Sequence, residues 1–233
     1  MTTASLYRLG GLAVLVGAVV GAVTTALELL VSPYNPHGTA LSFNMPVHVA
    51  KYVGLVVLLL GLTAVYLRQH QQVGRLGLLG FLGVFFGLAF AAMPYNVIEF
   101  TMDPSLARQD ASDYLDRTYD ATPAFSILTS IGFLLILAGI VLFAIVTLRA
   151  RILPRWTGWL SLASIPIGII LMVLGEMLYT GVVPHPPAWL LLGFTGYGYT
   201  LLNAQADLGS TAVSVGTSDP PREPFNQPRA STS

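Results

Sequence analysis

Six long apolar runs divide this chain of 233 residues: Leu9 to Leu30, Val47 to Leu67, Leu76 to Ile98, Ala124 to Leu148, Gly158 to Thr180 and Ala188 to Ala204. Crossing about 30 Å of hydrocarbon takes about 20 mostly apolar residues at about 1.5 Å per residue. The first five runs meet that length, and the sixth is shorter and glycine-rich. Lipid offers no partner to a peptide N–H or C=O, so a helix is the conformation open to such a run. The predicted fold class is therefore all-α, a polytopic membrane bundle of six transmembrane helices over residues 1–206. A tail over 207–233, rich in Pro, Ser and Thr and poor in apolar residues, is predicted to be disordered and cytoplasmic.

Composition agrees. Only 9% of residues are charged, against about 25% in a soluble domain, too few to build a water-facing surface. The net charge is zero, and without clustered Lys and Arg the chain has no means of replacing phosphate counterions, which excludes a nucleic-acid partner. The absence of cysteine excludes disulfides, CxxC redox chemistry and thiolate metal sites. The first run follows Arg8 as a signal peptide would, but it is too long for a typical h-region and no clear Ala-x-Ala follows, so it reads as a retained helix.

The basic residues set the orientation, because cytoplasmic loops retain Lys and Arg. With the N-terminus inside, Arg8, Arg68, Arg75, Arg149, Arg151, Arg155, Arg222 and Arg229 fall inside, and Lys51, Arg108 and Arg117 outside. Most acidic residues fall outside. The expectation is a multi-pass protein of the cell membrane with both termini cytoplasmic. Trp156, Trp159 and Trp189 stand at span ends, where indole rings anchor to the headgroup boundary.

The spans can be read as a triple repeat of helical hairpins. An arginine opens the first, third and fifth spans (Arg8, Arg75, Arg155), a glutamate closes each (Glu28, Glu99, Glu176), and a proline follows (Pro33, Pro104, Pro184). Basic residues inside and prolines in loops are common to any hairpin pair. The glutamates are less generic, since an ionised carboxylate near lipid is expensive and usually turns toward the bundle interior.

The candidate ligand-binding residues cluster around that outer level: Glu28, Glu99, Glu176, His48, Lys51, Tyr34, Tyr95 and Asn96. His48 and Lys51 are three apart and share a helix face. Pro94 removes a backbone hydrogen bond next to Asn96 and predicts a kink there. Each residue also has a plainer role: the glutamates can reach the headgroups, and Lys51 can snorkel or sit in a structural ion pair. His37 and His185 read as loop residues. The outer segment near 104–119 begins with Asp103 and Pro104 as a helix start, carries a stripe of aspartates, and reads as a short surface or capping helix.

Other chemistry finds no motif. No HxxxH or HExxH pair supports a metal, no histidine lies mid-span for haem, and GxSxG is absent. Phosphate-cradling glycine loops are missing too. The glycines fall mostly within spans, as in GAVVGAV, where small residues let helices approach closely. The sequence therefore implies no metal and no cofactor, and leaves the catalytic residues, if the chain is an enzyme, unknown.

The run LRARILPRWTGWLSL, covering roughly 147 to 162, resembles a stretch of bacterial six-span integral-membrane proteins of unknown function, in which a Leu-Pro-Arg-Trp-x-Gly-Trp-like run joins the fourth and fifth helices. That resemblance implies the span count and carries no activity with it.

Three functions remain in view. The first is binding or transport of a small molecule or proton at an outward-facing polar pocket, with the lipid bilayer as surroundings and a small-molecule or lipid ligand as partner. The second is an accessory or scaffold role toward another membrane protein or a second copy of the chain. The third is a membrane-embedded enzyme acting on a lipid or terpenoid with a glutamate as general acid. Intramembrane ionisable groups favour the first, and an enzyme ranks last.

Overall fold

In the computed structural model, the described residues are 3–31, 41–94, 96–97, 123–178 and 187–203, and all of them are helical except a short connection at 151–154. The elements are α1 (Thr3–Val31), α2 (Leu41–Gly87), a π-helical turn (Leu88–Ala92), α3 (Pro123–Ala150), α4 (Arg155–Leu178), α5 (Pro187–Leu190), a 3₁₀ turn (Leu191–Phe194) and α6 (Thr195–Asn203). Among the described residues, three helical stretches are long and apolar enough to cross a membrane: Ala4–Leu27, Met45–Ala92 and Ile127–Ala150. The capping helix expected near 104–119 and the tail over 207–233 lie outside the described residues.

The second of these stretches holds 48 residues, which would run about 72 Å if straight, more than twice the hydrocarbon thickness. It is not straight. Gly74 has φ 56° and ψ −152°, a backbone region essentially closed to any other residue. The rings of Tyr66 and Phe81, on opposite sides of Gly74 in sequence, stack with centroids 4.9 Å apart. Fifteen residues of straight helix would separate them by about 22 Å, so α2 folds back on itself at Gly74 into a first arm (41–73) and a second arm (75–87). The polar run RQHQQ ahead of Gly74 marks this fold-back in the sequence.

Neighbouring segments run antiparallel, as their closest approaches show. Gly10 meets Ala64 and Gly17 meets Leu58, pairing α1 with the first arm in opposite directions. Gly80, Gly83 and Gly87 meet Phe143, Gly139 and Gly132, pairing the second arm with α3 likewise. Gly168 meets Leu190 and Gly196 meets Trp156, pairing α4 with the α5–α6 segment. The contacts at Gly83 and Gly139 are backbone against backbone: a Cβ on Gly83 would stand 3.0 Å from the Gly139 Cα. Without a hydrophobic driving force between helices in lipid, such close approach supplies the dispersion contacts that hold them together.

α3 stops where Arg151 takes φ 55° and its N–H bonds the Thr147 carbonyl at 3.3 Å, an αL termination made by a non-glycine residue. Pro154, three residues on, supplies the cap of the next helix. Its carbonyl accepts from both the N–H and the hydroxyl of Thr157, at 3.1 and 2.8 Å.

The core is layered. Between Lys51 and Gln69 on α2, the buried side chains are Leu55, Leu58, Leu59, Leu62, Ala64 and Val65. Val14 and Ala18 of α1 and Ile136 and Ile140 of α3 complete the same apolar cluster. The outward faces are equally apolar: Val19, Val23, Leu60, Leu134, Ile170 and Val173 are all exposed. A water-soluble helix would carry charge on that face, so the exposed surface suits hydrocarbon. Trp156 and Trp159 are also exposed, as anchoring indoles are.

Candidate functional site

Two groups of buried polar side chains interrupt this apolar interior, one at each end of the first arm of α2. At one end stand His48 (4% exposed), Lys51 (3%) and Asn96 (2%). His48 and Lys51 lie about one turn apart on the first arm, and the shared face expected of them turns inward. Asn96 arrives from the far end of the second arm, beyond the π turn and Pro94. The distortion expected of Pro94 takes that form: the Met93 N–H bonds the Leu88 carbonyl, five residues back, so an extra residue is accommodated just before the proline.

The Asn96 amide is oriented by its own helix. Its Nδ2 donates to the Ala92 carbonyl at 2.6 Å, which leaves Oδ1 to face His48 Nδ1 at 3.5 Å. An amide oxygen only accepts, so the proton in this contact belongs to His48 Nδ1. In the neutral ring Nε2 is then the acceptor nitrogen. A lysine, an imidazole and an oriented carboxamide therefore share one level of the bundle. Thr24 and Thr25 are buried near the last turns of α1, and both hydroxyls donate to backbone carbonyls of their own helix.

Of the residues singled out in the sequence, His48 and Asn96 are thus brought into contact and Lys51 is placed on the same inward face. Glu28 and Glu176 fall on described backbone, in α1 and α4, with side chains outside the described set. Glu99, Tyr34 and Tyr95, like the loop histidines His37 and His185, lie outside the described residues. Among the described residues no three His, Asp or Glu side chains group as metal ligands.

The second polar group went unmarked in the sequence. Gln69 (1% exposed), Thr147, Ser161 and Tyr197 (0%) are buried, and they come from the first arm of α2, α3, α4 and α6. The Tyr197 hydroxyl donates to Thr147 Oγ1 at 3.3 Å. Thr147 Oγ1 stands 2.8 Å from the Phe143 carbonyl and 3.2 Å from Gln69 Oε1. Ser161, within hydrogen-bonding reach of the Tyr197 phenol, donates to the Gly193 carbonyl at 2.9 Å. Four helical segments are joined here through neutral groups alone.

The arginines gather at this same end. Arg68 lies over the Tyr7 ring at 5.4 Å, which joins the start of α1 to the fold-back of α2. The Thr147–Gln69 contact joins the end of α3 to that place as well. Arg8, Arg68, Arg75, Arg149, Arg151 and Arg155 therefore share one end, opposite His48 and Lys51. No family model, curated protein or solved structure matches the chain.

Proposed function

We propose that the protein crosses the membrane six times with both termini on the cytoplasmic side, and binds a small polar molecule at its extracytoplasmic end through His48, Lys51 and Asn96. Four spans are supported by α1, the two arms of α2 and α3. α4, with 24 residues, is the fifth. The segment from Pro187 to Asn203 is the sixth, and its 3₁₀ turn lengthens it to about 28 Å because such a turn rises about 2.0 Å per residue. The gathering of six arginines at one end supports placing that end in the cytoplasm. The resemblance of the 147–162 run to six-span bacterial membrane proteins supports the same count.

The observation that carries the functional reading is the burial of His48, Lys51 and Asn96 together at one level of an otherwise apolar bundle. Ionisable groups buried in membrane helices are rare and mark sites more often than they serve packing. The ligand chemistry that fits is an anionic or strongly accepting group for Lys51, with Asn96 and His48 orienting it. The carboxylates Glu28, Glu99 and Glu176, with Tyr34 and Tyr95, are the further candidates for its polar contacts. The apolar layer of Leu55, Leu58, Leu62 and Val65 below the site favours binding over passage through this bundle.

The test uses purified protein in detergent micelles and a panel of small carboxylates, phosphates and amines, read as a shift in Tm. A ligand held by the native state stabilises it as RT ln(1 + [L]/Kd), about 2.7 kcal/mol at a hundredfold excess over Kd. One chemical class is expected to raise the Tm of the wild type and to leave Lys51→Met and His48→Gln unshifted. No shift with any class, or equal shifts in the variants, would remove the binding function.

A further inference from the structure

The junction of Gln69, Thr147, Ser161 and Tyr197 has a hydrogen-bonding deficit that its own side chains do not close. Gln69 Nε2 is fully buried and has no hydrogen-bond partner among the described residues. Thr147 has one hydroxyl proton, which the Phe143 carbonyl takes at the shorter distance, 2.8 Å. The Ser161 proton goes to the Gly193 carbonyl, and the Tyr197 proton goes to Thr147. The lone pairs of the Tyr197 oxygen thus receive no proton from either neighbouring hydroxyl, while the Gln69 amide has protons to give.

Turning the Gln69 amide over does not remove the deficit. Nε2 would then donate to Thr147 Oγ1, whose two acceptor positions would be filled by Gln69 and Tyr197. The orphan would become Oε1, an acceptor. As placed, with the Thr147 proton on the Phe143 carbonyl, Gln69 Oε1 and Nε2 both lack a partner proton or acceptor among the described residues. Turned over, only Oε1 does, so in either orientation at least one polar atom of a side chain that is 1% exposed is left over. A buried unsatisfied amide atom costs about 1–3 kcal/mol. Buried polar groups in this situation are ordinarily satisfied by an ordered water.

We propose that this junction binds one water molecule between Gln69 and Tyr197. Both side chains contact the same Thr147 oxygen, at 3.2 and 3.3 Å, so one water can reach both. It accepts from Gln69 Nε2 and donates to Tyr197 Oη. With the amide reversed it donates to both, as its two protons allow. The species must be small, neutral and able to donate as well as accept, since every group lining the junction is uncharged. The bound water completes a hydrogen-bonded tie between the first arm of α2 and α6, two segments that Thr147 also joins among the described residues.

Radiolytic hydroxyl labelling in ¹⁸O-enriched water tests this on the full chain in detergent micelles, because a bound water generates radicals beside side chains that bulk solvent does not reach. Tyr197 is expected to incorporate label several-fold faster than Leu58 and Leu62, which are equally buried in the apolar layer, after correction for intrinsic reactivity. Gln69→Met, which keeps length and removes both polar atoms, is expected to bring Tyr197 down to the level of those leucines. Labelling of wild-type Tyr197 no faster than the leucines overturns the proposal, and so does undiminished labelling in folded Gln69→Met. Should that variant fail to fold, the wild-type comparison decides alone, with Thr147→Val as the second variant, expected to lower the Tyr197 rate as well.

Discussion

The two ends of the first arm of α2 bury polar groups in opposite ways. At one end a histidine meets an asparagine on a helix face that also buries a lysine, so ionisable groups are gathered there. At the other, an amide and three hydroxyls link four helical segments with no charge among them. A charge held in an apolar interior is costly unless something specific answers it, whereas a neutral hydroxyl near a helix backbone is cheap because a carbonyl one turn back accepts its proton. The charged end is the one proposed above to bind a ligand, and the neutral end joins four helical segments through hydrogen bonds. Both stand on the apolar layer between them, and the comparison is only as good as that separation.

The largest expected effect comes from breaking the separation itself. A Cβ on Gly139 would stand 2.5 Å from the Val84 nitrogen and 2.9 Å from the Gly80 carbonyl, backbone atoms that yield only if the helices part. Gly139→Leu is expected to destabilise the bundle by about 3 kcal/mol or more, the upper range for overpacking. Thermal unfolding in detergent would show it, and labelling at both polar ends would rise together. A variant as stable as the wild type would mean that the second arm and α3 do not approach this closely.

Next in size is the charged end. Asn96→Ala removes the amide that donates to the Ala92 carbonyl and accepts from His48. Removing one partner of a buried hydrogen bond costs about 1–3 kcal/mol. The expected loss is of that size, measured without ligand. Asn96→Asp separates the two roles of the side chain, because a carboxylate still accepts from His48 but no longer donates to Ala92. A loss under about 0.5 kcal/mol in Asn96→Ala, the usual range for a surface substitution, would mean that the contact contributes nothing to the fold.

Sequence reasoning reached these two ends unequally, and the reason is physical. Hydropathy alone pointed to an all-helical chain with long apolar helices, three of which are long and apolar enough to cross a membrane among the described residues, because the bilayer sets one length scale for such segments. His48, Lys51 and Asn96 stood out since titratable and amide groups are rare in apolar runs. Thr147, Ser161 and Tyr197 did not, because hydroxyls are common in such helices and mostly satisfy their own backbone. Thr24 does so at 2.7 Å to the Val20 carbonyl, much as Thr147 does to Phe143. Nothing local distinguishes the threonine that also joins three helices, and its partners lie 78 and 50 residues away. Gln69 was hidden otherwise: in the polar run RQHQQ it reads as loop, and only the continuation of the first arm through that run buries it. The glutamates, the sequence's most conspicuous signal, remain a matter of placement outside the described side chains.

The smallest effect is the sharpest test of the comparison. Tyr197→Phe removes a single hydroxyl whose one donated bond, to Thr147, is 3.3 Å long, and is expected to destabilise by about 0.5–1.5 kcal/mol. The informative quantity is how that loss combines with others. Combined with Thr147→Val, in the same network, it should fall short of additivity by about 0.5 kcal/mol or more, since the second substitution removes a bond already lost. Combined with Asn96→Ala it should add to within about 0.5 kcal/mol, because Lys51 and Gln69 are 18 residues apart on one helix, about 27 Å, with only apolar side chains buried between them. Thermal or denaturant unfolding of the three single and two double variants reads both cycles. Coupling between Tyr197 and Asn96 would show that the apolar layer transmits strain from one polar end to the other, and a ligand at the charged end would then act on the neutral one.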